Sequence, residues 1–101
     1  MKEKFNELPI SPAAYTDKNA QELARIWAAH GKQHVTLLSK IWDDPFAWGI
    51  FLVDLANHAA NIYEQGEGRD RDDVLKRIKE GFEAEWHSPT DQAEGTIQDK
   101  N

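Results

Sequence analysis

The stretch WDDPFAWG at residues 42–49, which continues as IFLVDLANH at residues 50–58, decides how this chain folds. Asp44 predicts a helix N-terminus, because its carboxylate can accept a hydrogen bond from an amide of the first turn. Pro45 fits the first helical position, which needs no amide proton and a φ of about −65°. The residues that follow are almost wholly apolar. The helix predicted over Pro45–Gln65 therefore organises the core.

A helix and a strand are predicted before this segment. Leu23, Ile26 and Trp27 recur with the spacing of one helix face, which predicts a first helix over Lys18–His30. Apolar residues then alternate with a period of two over Gln33–Trp42, and this alternation predicts a strand.

A third helix is predicted after the central one. Asp70 or Asp72 can cap it, and an apolar stripe at helical spacing continues to Trp86. The predicted organisation is a single α+β domain over residues 1–91, with an extended N-terminal arm over residues 1–16 and a disordered tail over residues 92–101.

The predicted order, α-β-α-α, contains one strand, which cannot satisfy its own backbone hydrogen bonds. The favoured partner is the same strand of a second chain, paired antiparallel across the two-fold axis of a homodimer. The N-terminal arm around Phe5–Ile10 is the alternative partner. The predicted interface residues are Val35, Leu37, Trp42 and Trp48, although the two tryptophans could instead pack in the core around the strand-to-helix turn.

Composition excludes several classes of function. The chain has 101 residues, 18 acidic and 12 basic side chains and a net charge of −6, which disfavours nucleic acids and membrane surfaces as partners. It contains no cysteine, which excludes disulfides and thiolate metal sites and suits the cytoplasm. No cofactor motif occurs, no uncharged run is long enough to span a membrane, and the histidines have no recognised metal-ligand spacing.

The central helix carries one polar stripe, formed by Asp54, Asn57, His58 and Asn61. Asp54 and His58 are four residues apart, so the carboxylate could orient the imidazole as in half of a general-base pair. No nucleophile completes such a site, and no catalytic residue is predicted. If a ligand-binding pocket exists, this stripe is the predicted location. The same side chains could equally form hydrogen bonds among themselves.

Two functional hypotheses follow from these patterns. The favoured one is a non-enzymatic assembly or protein-interaction module, because apolar surface is plentiful and no catalytic constellation is evident. The alternative is a small-ligand-binding protein or enzyme that uses the polar stripe of the central helix.

Three segments carry a resemblance to a known family. HVTL at residues 34–37, WDDPFAWG at residues 42–49 and EWHSPTD at residues 85–91 resemble a family of small, mostly proteobacterial proteins that is known only as a domain of unknown function. The resemblance extends from about Leu8 to Asp91. It implies a short bacterial protein, and it brings no activity, ligand or catalytic residue with it.

Overall fold

The computed structural model describes residues 6–90 and shows an α+β chain with three helices and one two-stranded antiparallel sheet in that range. The elements, in chain order, are α1 (Pro12–Thr16), β1 (Ala24–Ala29), β2 (Lys32–Leu37), α2 (Phe46–Glu67) and α3 (Arg71–His87). The predicted α+β class is confirmed, but the order is α-β-β-α-α. The chain divides into two compact units, which we call the strand unit (described over residues 6–39) and the helix unit (described over residues 40–90).

The strand unit is built around a tight β-hairpin. β1 and β2 pair from Ala24 opposite Leu37 to Ala29 opposite Lys32, so only two residues connect the strands. These are His30, with φ 55°, and Gly31, with φ 72°. Two consecutive residues with positive φ form a type I′ turn, whose twist matches that of the flanking strands.

The helix predicted over Lys18–His30 is wrong, because its second half is strand β1. The sequence ARIWAA is compatible with both periods, since alanine fits either a helix or a small-residue strand face. Gly31, the residue after the end of the predicted helix, has a positive φ that serves the hairpin turn. The pairing of β1 with β2 outweighs the weak local preference for helix.

The strand predicted over Gln33–Trp42 is shorter than expected, and its partner lies in the same chain. β2 ends at Leu37, and Lys40 has a φ of 63°, which does not continue a strand. The described part of the predicted extended arm contains the single helical turn α1, begun by Ser11. That arm does not supply the second strand of the sheet. The predicted tail over residues 92–101 lies outside the described residues, and the single-domain boundary at residue 91 stays a prediction.

The helix unit follows its predicted caps closely. The Phe46 amide donates to Asp44 Oδ1 at 3.0 Å, and Pro45 already has helical φ and ψ. Gly68 ends α2 with a φ of 67°, and its amide donates to the Glu64 carbonyl oxygen. The Asp73 amide donates to Asp70 Oδ2 at 3.0 Å, which places the start of α3 at the predicted aspartate.

α2 and α3 form an antiparallel helical hairpin with a thin core. Ala60 of α2 is fully buried and Val74 of α3 is 4% exposed, and no other hydrophobic residue among residues 6–90 is buried to this degree. The apolar stripe predicted for α3 exists, but it becomes exposed toward the C-terminus. Phe82 is 51% exposed and Trp86 is 72% exposed.

Candidate functional site

The polar stripe of α2 lies beside the connection between the two long helices. Its four predicted members fall on consecutive turns of α2, since they are spaced by three or four residues or adjacent. Asp54 and His58 are exposed, whereas Asn57 and Asn61 are half-buried. The structure therefore separates the stripe into a solvent-facing pair and an inward pair.

The inward pair binds Arg71, the first residue of α3. Arg71 Nε donates to Asn61 Oδ1 at 2.6 Å, and Arg71 Nη2 donates to Asn57 Oδ1 at 2.6 Å. Asn57 in turn donates from Nδ2 to the Val53 carbonyl oxygen at 3.0 Å. The flat edge of one guanidinium thus joins two successive turns of α2 to the start of α3. We call this group the Arg71 clamp.

Sequence reasoning identified both asparagines but missed Arg71. The signal lies in the short connection, because Gly68 ends α2 and Asp70 caps α3 only two residues later. Such a turn returns α3 along α2, so the first side chain of α3 faces the last turns of α2.

The contacts of the clamp bear on the predicted ligand-binding role of the stripe. Each amide oxygen already accepts one short hydrogen bond from Arg71, so one of its two acceptor positions is taken. Asp54 and His58 remain the accessible polar members of the stripe. Within residues 6–90, no group of three or more His, Asp or Glu side chains is arranged to hold a metal ion.

The two predicted interface tryptophans come together at the start of α2. The rings of Trp42 and Trp48 lie 4.9 Å apart in an edge-to-face arrangement, and Phe51 lies within 6 Å of both. Both tryptophans are half-buried. They form an aromatic cluster around the cap of α2, which is the packing role that the sequence left open for them.

An apolar depression of the helix unit runs between α2 and α3. We call it the α2–α3 groove. Its volume is about 610 Å³, and its apolar lining includes Leu52, Val53, Ala56, Leu75, Ile78 and Phe82. Charged side chains of α3 form its outer rim, and they are Asp72, Lys76, Lys79 and Glu83.

A second depression, of about 560 Å³, lies within the strand unit between the N-terminal segment, α1 and β1. Arg25 is one of the residues that line it. Its Nη2 lies 3.0 Å from Glu22 Oε2, and its Nη1 lies 3.2 Å from Glu7 Oε2. The hydrogen bond and charge of Glu22 raise the pKa of Arg25, and the charge of Glu7 adds to this effect. These ion pairs are solvent-exposed, so they contribute little to stability.

Comparisons with known proteins agree with this description of two hairpins without an evident reaction centre. Residues 7–90 match the family described as "Domain of unknown function (DUF5076)", and the chain belongs to that family. The predicted resemblance to a family known as a domain of unknown function is confirmed, while the mostly proteobacterial distribution of that family stays a prediction. No curated protein is significantly similar to this chain.

One solved structure is similar over nearly the whole chain. It is a protein from the photosynthetic bacterium Rhodopseudomonas palustrus CGA009, provisionally named a pyruvate dehydrogenase. The two sequences are 34% identical, the TM-score is 0.72, and the alignment covers 90% of this chain and 93% of the other. In the described range of our chain, no helix combines the length and apolar character needed to cross a membrane.

Proposed function

We propose that this chain is a non-enzymatic assembly module that acts as a homodimer in the bacterial cytoplasm. The observation that carries the proposal is the imbalance between buried and exposed apolar surface. Only Ala60 and Val74 are buried among the hydrophobic residues of the described range, whereas Ile62 is 69% exposed and Trp86 is 72% exposed. A chain of this size has a small stability margin, and a second copy would cover the surplus apolar surface.

The β-hairpin supplies an independent reason for a partner. An isolated two-stranded hairpin is marginally stable in water. The Leu38 amide donates to the Leu23 carbonyl oxygen, so these two residues form a hydrogen-bonded pair. Because such pairs alternate along an antiparallel ladder, Val35 opposite Ile26 is a non-hydrogen-bonded pair. The backbone groups of Val35 therefore point toward the open edge of β2, where an antiparallel copy of β2 could pair.

The bacterial and cytoplasmic parts of the proposal have separate support. The similar solved structure comes from a bacterium, and the chain contains no cysteine, as suits a reducing compartment. The provisional dehydrogenase name belongs to that other protein. For this chain, a ligand-binding role of the polar stripe would draw first on Asp54 and His58, because they are exposed while the amide oxygens of Asn57 and Asn61 are each bonded to Arg71.

The first test is the solution mass of the full chain, measured by light scattering behind a sizing column over a series of concentrations. A mass of two chains that falls on dilution supports the proposal. A mass of one chain at every concentration overturns it. In that case the exposed apolar surface would have to serve a different protein.

The edge of β2 can be tested with two matched proline variants. Val35→Pro removes an amide that points toward the open edge of β2, and Ile26→Pro makes the same change opposite it on the open edge of β1. Pairing through β2 predicts that Val35→Pro weakens the dimer while Ile26→Pro leaves its Kd unchanged. If the two variants have the same dimer Kd, pairing through β2 is wrong.

A further inference from the structure

We infer that the α2–α3 groove binds α3 of a second copy of this chain, antiparallel to the first and displaced by about one helical turn. The inference rests on the proposed homodimer and names the surface and the register of its helical contact. Two helical hairpins paired in this way form a four-helix bundle, in which each hairpin covers the apolar face of the other.

The groove has the character of an unfilled core. Leu52 and Val53 on its α2 side are 48% and 60% exposed, and Phe82 on its α3 side is 51% exposed. One turn beyond Phe82, Trp86 stacks on it with ring centroids 5.6 Å apart and is still more exposed. The apolar face of α3 therefore extends past the part of α3 that lines the groove.

The charged rim of the groove selects the register. Along α3 its signs run negative, positive, positive, negative, from Asp72 through Lys76 and Lys79 to Glu83. An antiparallel copy placed symmetrically opposite would put Asp72 against Glu83 and would repel. A displacement of five residues, a little more than one turn, instead brings Lys76 within one residue of Glu83 of the second copy, and the two-fold axis repeats this attraction.

The apolar side chains select the direction of the displacement. Displacement the opposite way would bring Asp72 near Lys79, but it would leave Phe82 and Trp86 beyond the start of α3 of the second copy. In the proposed arrangement Phe82 lies opposite Ile78 of the second copy, and Trp86 lies within one residue of Leu75. In the symmetric arrangement Phe82 would face Asp73, and Ile78 would face Arg77. Charge and apolar contact together therefore favour one alignment of α3 on α3.

A second copy of the chain also explains the thin core of the helix unit better than a different protein that binds only some of the time. The helix unit buries only Ala60 and Val74 by itself, so its groove needs a cover that is present whenever the chain is folded. Another copy of the same chain is always available in equal amount. Its rim carries as many positive as negative charges, as self-recognition requires.

The register is tested by charge reversal in the full chain. Lys76→Glu and Glu83→Lys each place two like-charged pairs across the proposed axis, and each should raise the dimer Kd at least about tenfold. The double variant restores opposite charges with their signs exchanged, and its Kd should return to within about threefold of the original value. Analytical ultracentrifugation over a dilution series gives the three constants, and far-UV circular dichroism checks that each variant is helical.

A second pair of variants tests the apolar contact without altering charge. Phe82→Ser removes a ring from the groove and should weaken the dimer. Phe46→Ser is the matched control, because Phe46 is 73% exposed on α2 but does not line the groove. The control should leave the dimer Kd unchanged within error.

The outcomes separate this inference from the proposal on which it rests. A monomeric original chain overturns the homodimer and the groove contact together. A dimer whose Kd is unchanged by Lys76→Glu and by Phe82→Ser overturns the groove contact alone. A dimer weakened by both single charge reversals but not restored by the double variant overturns the register.

Discussion

The strand unit and the helix unit are both hairpins, but different parts of the chain hold them together. In the strand unit the backbone does so, through a six-residue ladder closed by the turn at His30 and Gly31. In the helix unit side chains do so, through the caps Asp44 and Asp70 and through the Arg71 clamp. The contrast teaches that a fold element can be predicted from the sequence when specific side chains determine it. It is easily missed when backbone pairing determines it.

The largest effect is expected in the helix unit, from Arg71→Ala. The variant leaves two half-buried amide oxygens without their donor, so it should lower the free energy of unfolding by about 2 kcal/mol. Arg77→Ala is the control, because Arg77 is 81% exposed and bonds only Glu80 on its own helix, and it should cost less than about 0.5 kcal/mol. Urea unfolding followed by circular dichroism, at one fixed protein concentration, measures both values. Equal losses for the two variants would show that the clamp does not hold the hairpin.

The next largest effect is expected in the strand unit, from Gly31→Ala. Gly31 has a φ of 72°, which costs a residue with a Cβ about 1–2 kcal/mol. Gly66→Ala is the opposite case: Gly66 lies within helix α2 and a Cβ there would meet nothing within 4 Å, so it should stabilise by about 0.5–1 kcal/mol. Amide hydrogen exchange resolves the two units separately. If Gly31→Ala also accelerates exchange throughout α2 and α3, the strand unit and the helix unit unfold together and are not stabilised separately.

A smaller effect is expected from the cap of α2. Asp44→Ala removes the acceptor of the Phe46 amide and should cost about 1 kcal/mol. Asp43→Ala removes the same charge one residue earlier, where no cap bond is described. It should lower the free energy of unfolding by only about a few tenths of a kcal/mol. The difference between the two variants in urea unfolding isolates the hydrogen bond from the charge. No difference would mean that the charge alone begins the helix.

The smallest effect is expected from His30→Asn, and it has the opposite sign. Asparagine before glycine is preferred in type I′ turns because it tolerates positive φ well, so the variant should stabilise the hairpin by about 0.3 kcal/mol. The ring of His34, on β2, makes a hydrogen bond to the Ala29 carbonyl oxygen at 3.0 Å, and the variant does not alter either residue. Slower amide exchange confined to β1 and β2 is the expected result. Faster exchange there would show that the His30 ring contributes a contact of its own.

The helices α2 and α3 could be predicted because Asp44, Pro45 and Asp70 carry capping chemistry that has few other meanings in sequence. β1 could not, because its alanines satisfy both the helical and the strand period, and only the pairing with β2 decides between them. The same logic applies to the candidate site. The spacing of Asn57 and Asn61 could be seen within one helix. Their partner, Arg71, belongs to α3, and only the folded connection between α2 and α3 brings it near them.

The Arg71 clamp has a consequence for the conditions that the helical hairpin tolerates. Its two acceptors are the neutral side-chain amides of Asn57 and Asn61, so no carboxylate takes part in these two hydrogen bonds. Mild acid, which protonates carboxylates and dissolves ordinary ion pairs, therefore leaves these two bonds unchanged. Added salt, which screens attraction between opposite charges, also has little to act on there. The two bonds from Arg71 to the asparagines are thus largely indifferent to the ionic surroundings, unlike the Asp70 cap beside them and the exposed ion pairs of Arg25 with Glu7 and Glu22.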